Sequence, residues 1–412
     1  MERLNKCFAL MMILLIGLFL YCLVFPPSLS IISSQKTVLF AEGKDWFADF
    51  FNVLRYISDD DGYYFSKINE FDGHSGFPLS IAILYPFTQL IDYRGMSLQD
   101  CWMSKTAVFS CVTYLTVMVF LLWDSLNRLC EKYRVRKLNL LIFLFSSVFI
   151  FSLERANFVF LSATLISYFL VYYDSESLWL RRFALICLCI AATLKGYPVF
   201  FGLLLLKEKR YKDILFCIVF TLIIAFVPFV FMERGFENLS KMIQNTGVNS
   251  ASYLHNYNYM FGLYKFVYLG TLAAHLPDSS IDLVIKTTRI IELLLGLLTF
   301  IFVLLDNRIH RQLLLIACTV LLMPINSGFY CALYMFPVIL VFFSNREVER
   351  VDWILMLLLC LVINPFQIIL PYKQIQFYLT SLLSNAAIIS IWFLLLLSSV
   401  SKLKDFKFRQ LL

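Results

Sequence analysis

The string Asp45-Trp46-Phe47-Ala48-Asp49-Phe50-Phe51-Asn52 spaces two carboxylates and an amide four and three residues apart. In a helix that spacing gathers Asp45, Asp49 and Asn52 on one face and leaves the aromatics to the others. Such a helix would lie flat on a membrane surface and hold a carboxylate just above the lipid. Three polar interruptions of apolar sequence add further reactive groups. Glu154-Arg155-Ala156-Asn157 joins two apolar runs, Lys195-Gly196-Tyr197-Pro198 breaks a third, and Pro324-Ile325-Asn326-Ser327-Gly328-Phe329-Tyr330 breaks a fourth. An ionisable group at membrane depth costs several kcal/mol unless paired or hydrated, so its presence points to function. Gly196 and Pro198 open the helix around Lys195 and release its backbone groups. The plain structural alternatives are an interfacial salt bridge for Glu154 and Arg155, helix-end snorkelling for Lys195 and an external turn at Pro324.

A carboxylate can take the proton of an attacking hydroxyl. Arg and Lys can gather the negative charge of a departing phosphate in a preorganised site. The combination suits a transfer whose donor is a membrane lipid carrying a sugar through one phosphate, with aromatic faces against the apolar edges of sugar rings. A phosphomonoester leaves with less charge than a nucleotide diphosphate, so no cofactor is expected, and a divalent metal is possible but not required. Asp59-Asp60-Asp61 offers oxygens to a hard cation, but a solvated turn before Gly62 accounts for it as well. His255 sits in a polar stretch and reads as a solvated histidine, with contact to acceptor or phosphate as the alternative.

The scaffold that positions these residues must be a membrane one. Of 412 residues, 60% are apolar and 15% charged, whereas a soluble domain is about half apolar and about a quarter charged. A helix crossing a ~30 Å hydrocarbon core needs about 20 apolar residues. The runs 7–25, 105–123, 138–153, 156–173, 213–231, 285–305, 353–371 and 377–399 fit, and 183–194, 197–206, 312–324 and 329–343 read as helices broken near a cavity. The first run is long and ends at Pro26-Pro27 without a small-residue cleavage site, so it reads as an anchor. Basic residues concentrate in the short loops at Arg3 and Lys6, Arg128–Lys137, Arg181-Arg182, Lys207–Lys212, Arg308 and Arg311, Arg346 and Arg350, and Lys402–Arg409. The positive-inside rule makes that side cytoplasmic. Both termini then fall inside, and the segments 26–104 and 232–284 form two external loops. The expected fold is all-α: one polytopic membrane domain over 1–412, a bundle of about twelve transmembrane helices with outward-facing amphipathic helices in the first loop.

Nine of the eleven cysteines lie in apolar runs, which argues against a disulfide framework. The net charge of +7 follows from membrane topology and suggests no nucleic acid.

The stretch 154–231 resembles glycosyltransferase family 87, the polyprenol-phosphate-mannose-dependent mannosyltransferases and their relatives. The likeness rests on Glu154-Arg155-Ala156-Asn157, on Thr193-Leu194-Lys195-Gly196-Tyr197-Pro198, and on Lys207-Glu208-Lys209-Arg210-Tyr211, in that order. Asp49-Phe50-Phe51-Asn52 with Tyr63 resembles the family's first external loop, and Pro324 to Pro337 its late segment. The resemblance implies a GT-C fold in a bacterial inner membrane, with the site facing the periplasm. It implies inverting transfer of a hexose, mannose in the best-known members, from a polyprenyl-phosphate sugar to a glycan or glycolipid acceptor. By position Asp49 is the general base, with Asp45 its rival on the same face, and Arg155 and Lys195 hold the phosphate. Asn157, Tyr197 and Tyr330 line the cavity, with Glu154, Asn52 and Tyr63 beside them. Ala156 stands where the family has glycine, Phe77-Pro78 replaces a Tyr-Pro-Pro triplet, and Phe329-Tyr330 replaces paired histidines.

Two other readings share the outward site. A transporter or flippase for a lipid-linked saccharide would show internal repeats, and the sequence has none. A polymerase or ligase using a diphosphate donor would place several arginines in one large external loop, and 232–284 has only Arg234 with Lys241 and Lys265.

Overall fold

A computed structural model describes residues 2–24, 46–59, 62–64, 74–254, 260–344, 347–366, 368–372 and 375–411. The chain opens with α1 (Glu2–Val24), and the segment before the central helices carries α2 (Ala48–Ser58), α3 (Pro78–Thr88) and α4 (Leu98–Met103). The centre holds α5 (Lys105–Tyr133), α6 (Leu138–Leu144), α7 (Ser147–Arg155), α8 (Val159–Tyr172), α9 (Leu178–Lys195), α10 (Leu203–Lys207) and α11 (Tyr211–Val230). After these come α12 (Glu237–Leu254), α13 (Leu263–Ala273), α14 (Asp278–Leu305), α15 (Ile309–Leu322), α16 (Met335–Phe342), α17 (Arg350–Val362) and α18 (Leu379–Leu411). Single 3₁₀ segments, Tyr197–Gly202 and Phe329–Tyr334, lead into α10 and α16.

Among the described residues, five helices are long and apolar enough to cross a membrane: α1, α5, α11, α14 and α18 over Leu379–Val400. The pair α6 and α7, bent by 53°, makes a sixth. Among the remaining apolar runs, two form short helices that are buried almost throughout. Every residue from His310 to Leu322 in α15 is buried, as is every residue of α16. A helix wrapped by other helices meets little lipid and need not match the bilayer in length. The expected run 353–371 departs most from the sequence reading. α17 stops at Val362, and Ile369–Tyr372 and Ile375–Tyr378 form a two-stranded antiparallel hairpin instead. Pro365 cannot donate to a continuing helix, and Asn364 turns the chain by accepting the Phe366 N–H at 3.0 Å while its carbonyl takes the Ser147 N–H at 2.8 Å.

Several of the basic loops are joined by ion pairs. Arg136 pairs with Glu2 at 3.1 Å, Lys132 with Asp174 at 2.5 Å, Arg182 with Asp213 at 3.8 Å and Arg311 with Glu349 at 2.6 Å. α5 and α8 run in the same direction with a fixed offset: Tyr114 meets Phe158, Asp124 accepts from the Tyr168 hydroxyl at 2.7 Å, and Arg128 donates to Tyr172 at 3.1 Å. α8 therefore starts level with Tyr114, about nine residues or roughly 14 Å below the Lys105 end of α5.

Candidate active site

The site forms where α2 meets the turn between α7 and α8. Phe47, in the left-handed region at φ 57, opens α2 and donates its N–H to the Glu154 carbonyl at 2.7 Å. Phe50, Phe51 and Leu54 anchor the helix in the core, with the Phe50 ring 5.1 Å from Tyr114. Asp49 is thereby held level with the start of α8. It therefore sits within the bundle, away from the Lys105 end of α5.

α7 ends by the left-handed turn that Ala156 supplies at φ 50, its N–H shared between the Ser152 and Leu153 carbonyls. That turn projects Arg155 and Asn157 back toward α2. Arg155 Nη2 donates to Asp49 Oδ1 at 2.5 Å and its Nε to Oδ2 at 3.2 Å, a two-pronged grip. Asn157 Nδ2 donates to the same Oδ2 at 2.7 Å, while its Oδ1 accepts the Val159 N–H at 2.9 Å and so fixes the amide's orientation. The Asp49 side chain remains 21% exposed. Burial alone would raise its pKa, but the Arg155 guanidinium, the Asn157 amide and, to a smaller extent, Lys195 outweigh that and hold the carboxyl below the usual range.

Lys195 ends α9, and Gly196, at φ 69, turns the chain into the 3₁₀ segment. Its Nζ lies 6.0 Å from the centre of the Tyr330 ring, which is stacked on Phe151 at 6.1 Å and 9°. The Tyr197 hydroxyl meets the Cys331 Sγ at 3.2 Å and its ring packs edge-on against Tyr334. Asp49, Arg155 and Asn157 are thus in direct contact, with Lys195, Tyr197 and Tyr330 joined to one another around Cys331 and near enough for Lys195 to bias Asp49.

The remaining expected residues have other contacts. Asn52 accepts from Arg55 at 3.3 Å. Glu154 is buried at 4% exposure and serves the site through its carbonyl. Tyr63 is buried against His74 and Phe229, its hydroxyl donating to the Gly76 carbonyl at 2.8 Å. Asp45, Asp60, Asp61 and His255 lie outside the described residues. No group of three or more His, Cys, Asp or Glu that could hold a metal occurs among the described residues.

Two features went unread in the sequence. His74 is buried, its Nε2 3.1 Å from Ser80 Oγ; burial and then the charge of Lys195 push its pKa down to about 4, so the ring is neutral at physiological pH. Asn245 of α12 holds the same region by donating to the Tyr63 and His74 carbonyls at 2.8 and 3.1 Å. The second feature is a buried charge pair in α14, Arg289 and Glu292. Two charges three residues apart inside the apolar run 285–305 were the available signal.

The family model of glycosyltransferase family 87 matches residues 78–328, more than half of the chain. The match contains Glu154, Arg155, Asn157, Lys195 and Tyr197, while Asp49, Asn52, Tyr63 and Tyr330 fall outside it. No curated protein and no solved structure matches the chain.

Proposed function

Since the chain belongs to glycosyltransferase family 87, we propose that it moves a hexose, mannose first among the candidates, from a polyprenyl-phosphate sugar to a glycan or glycolipid acceptor. The setting we propose is a bacterial inner membrane. The chain 1–412 acts there as one domain with about twelve crossings, short and long, both termini cytoplasmic and the site on the periplasmic side. The observation that carries the reading is the two-pronged contact of Arg155 with Asp49, steadied by Asn157 and with Lys195 close by.

The chemistry follows from these partners. An acceptor hydroxyl attacks the anomeric carbon, its proton passes to Asp49, and the bond from that carbon to the phosphate oxygen breaks with inversion. Polyprenyl phosphate leaves with the electron pair, and Arg155 and Lys195 gather its charge. The grip of Arg155 holds Asp49 ionised but weakly basic. A donor phosphate competes for the same guanidinium, and every hydrogen bond it draws from Arg155 returns basicity to Asp49. The base thus becomes effective when the donor is in place. No metal is needed to neutralise a single phosphate between two cations, so transfer should persist in a chelator.

Reconstitution of the protein with labelled polyprenyl-phosphate sugar and acceptor tests the reading. A new glycosidic bond, lost in Asp49→Asn, supports it. Movement of the intact lipid across the bilayer with no new bond supports a flippase instead, and use of a diphosphate donor alone supports a polymerase or ligase.

A further inference from the structure

α14 is apolar enough to cross a bilayer, yet it buries Arg289 and Glu292 one turn apart, with Glu292 fully buried and the Arg289 side chain 14% exposed. Charges at that depth persist only where their partners are good, and here both charges are spent on backbone. Glu292 Oε1 accepts the N–H groups of Leu263 and of Tyr264, the latter at 3.2 Å, and so caps α13, whose own N-cap residue, Gly262, has no side chain. Glu292 Oε2 accepts from Arg289 Nη1, and Arg289 Nη2 donates at 2.5 Å to the Met323 carbonyl, where α15 ends.

The two gripped segments also pair with each other. The Tyr264 hydroxyl donates to the Ile325 carbonyl at 2.9 Å, the Phe261 N–H to the Ser327 carbonyl at 2.8 Å, and Met260 bridges Gly328. Two residues beyond that bridge stands Tyr330, the ring that faces Lys195. Non-helical backbone amid membrane helices must find its hydrogen bonds in the protein, and the charge pair supplies them to both segments at once. Gly262 belongs to the same arrangement: at φ 140, an added Cβ would meet the Tyr264 ring at 2.5 Å and Glu292 Oε1 at 3.4 Å.

We propose that Arg289 and Glu292 are positioning residues for sugar transfer: by clamping 260–264 against 323–328 they hold Tyr330 over Lys195 without meeting the substrate themselves. This rests on the reading of the reaction given above.

The test uses the full-length protein in lipid nanodiscs and the variants Glu292→Leu, Arg289→Leu and Glu292→Gln. Amide hydrogen exchange is followed at 260–264 and 324–330, alongside kcat and the donor KM. The Leu variants should speed exchange in both segments while leaving α5 and α8 as protected as before. Their kcat should fall by on the order of a hundred-fold, with a smaller change in KM. Glu292→Gln keeps an oxygen for the Leu263 and Tyr264 amides and should recover most of both. Unchanged exchange at 324–330, or faster exchange with full kcat, overturns the proposal. If the Leu variants do not fold, Arg289→Lys decides, because it loses the fork that reaches both Glu292 and the Met323 carbonyl, and unchanged exchange in it overturns the proposal. Loosening matched by a partial loss of kcat supports the proposal, and loosening without loss overturns it. A wild-type protein that binds donor lipid and forms no product overturns the reaction, while exchange still decides the clamp.

Discussion

Arg155 holds Asp49 by both oxygens, at 2.5 and 3.2 Å, across 106 residues of chain. The candidate base and the cation expected to meet the phosphate are therefore direct partners. The consequences are measurable.

Asp49→Asn removes the proton acceptor and keeps the shape. Transfer should fall by about 10²–10⁴-fold, the range that general-base catalysis contributes, while donor binding survives. Scintillation counting of labelled product and of bound donor lipid checks both. Transfer at the wild-type rate would remove Asp49 from the mechanism.

Arg155→Lys keeps the charge but loses the fork. The donor KM should rise, and kcat/KM should lose its acid limb at higher pH than in the wild type. The sign follows from the contact: Arg155 is the largest influence lowering the Asp49 pKa, so a weaker partner lets that pKa climb, and the base is protonated sooner as pH falls. A pH profile of both enzymes reads the shift.

His74 links pH to stability. Its folded pKa of about 4 lies below the ordinary 6.5, so the unfolded chain binds the extra proton between those values. Its stabilisation is complete above pH 6.5 and is lost as pH falls toward 4, by roughly 3 kcal/mol across the window. His74→Gln should flatten the fall in Tm over that range. A parallel fall in both proteins would mean that the ring does not stay neutral.

Ala156 occupies a left-handed position at φ 50, where a Cβ costs about 1 kcal/mol relative to glycine. Ala156→Gly should raise the Tm accordingly and leave transfer intact, whereas Ala156→Val should lower both. Differential scanning fluorimetry with a transfer assay distinguishes the outcomes.

Polar residues inside apolar sequence were the legible part of the site. Glu154-Arg155-Ala156-Asn157 and Lys195-Gly196-Tyr197-Pro198 announce themselves because lipid tolerates such groups only for a reason. The structure brings Arg155 and Asn157 directly onto Asp49. Legibility failed where a local pattern met a tertiary contact. Only the family resemblance set Tyr63 beside the cavity, and its hydroxyl is taken by the Gly76 carbonyl, a contact no spacing announces. Arg289 and Glu292 disappear into the average apolarity of 285–305, because hydropathy sums over a window and two charges barely move it. The run 353–371 failed for the opposite reason. Its composition suits a span, but Asn364-Pro365 ends the helix locally. The helical, apolar character was readable from composition, while the depth of the carboxylate in the bundle came only from the offset between α5 and α8.

That offset ties the depth of the acid to the length of α5. The hydroxyl, carboxylate and guanidinium contacts that align α5 with α8 all lie at or beyond Tyr114, leaving the first turns of α5 free of them. Adding or deleting whole turns near Lys105 would raise or lower the wall around the acid by about 5.4 Å at a time. The same change would pull Trp102 from the Trp46 carbonyl, to which it donates at 2.8 Å, and so load the segment that carries Asp49.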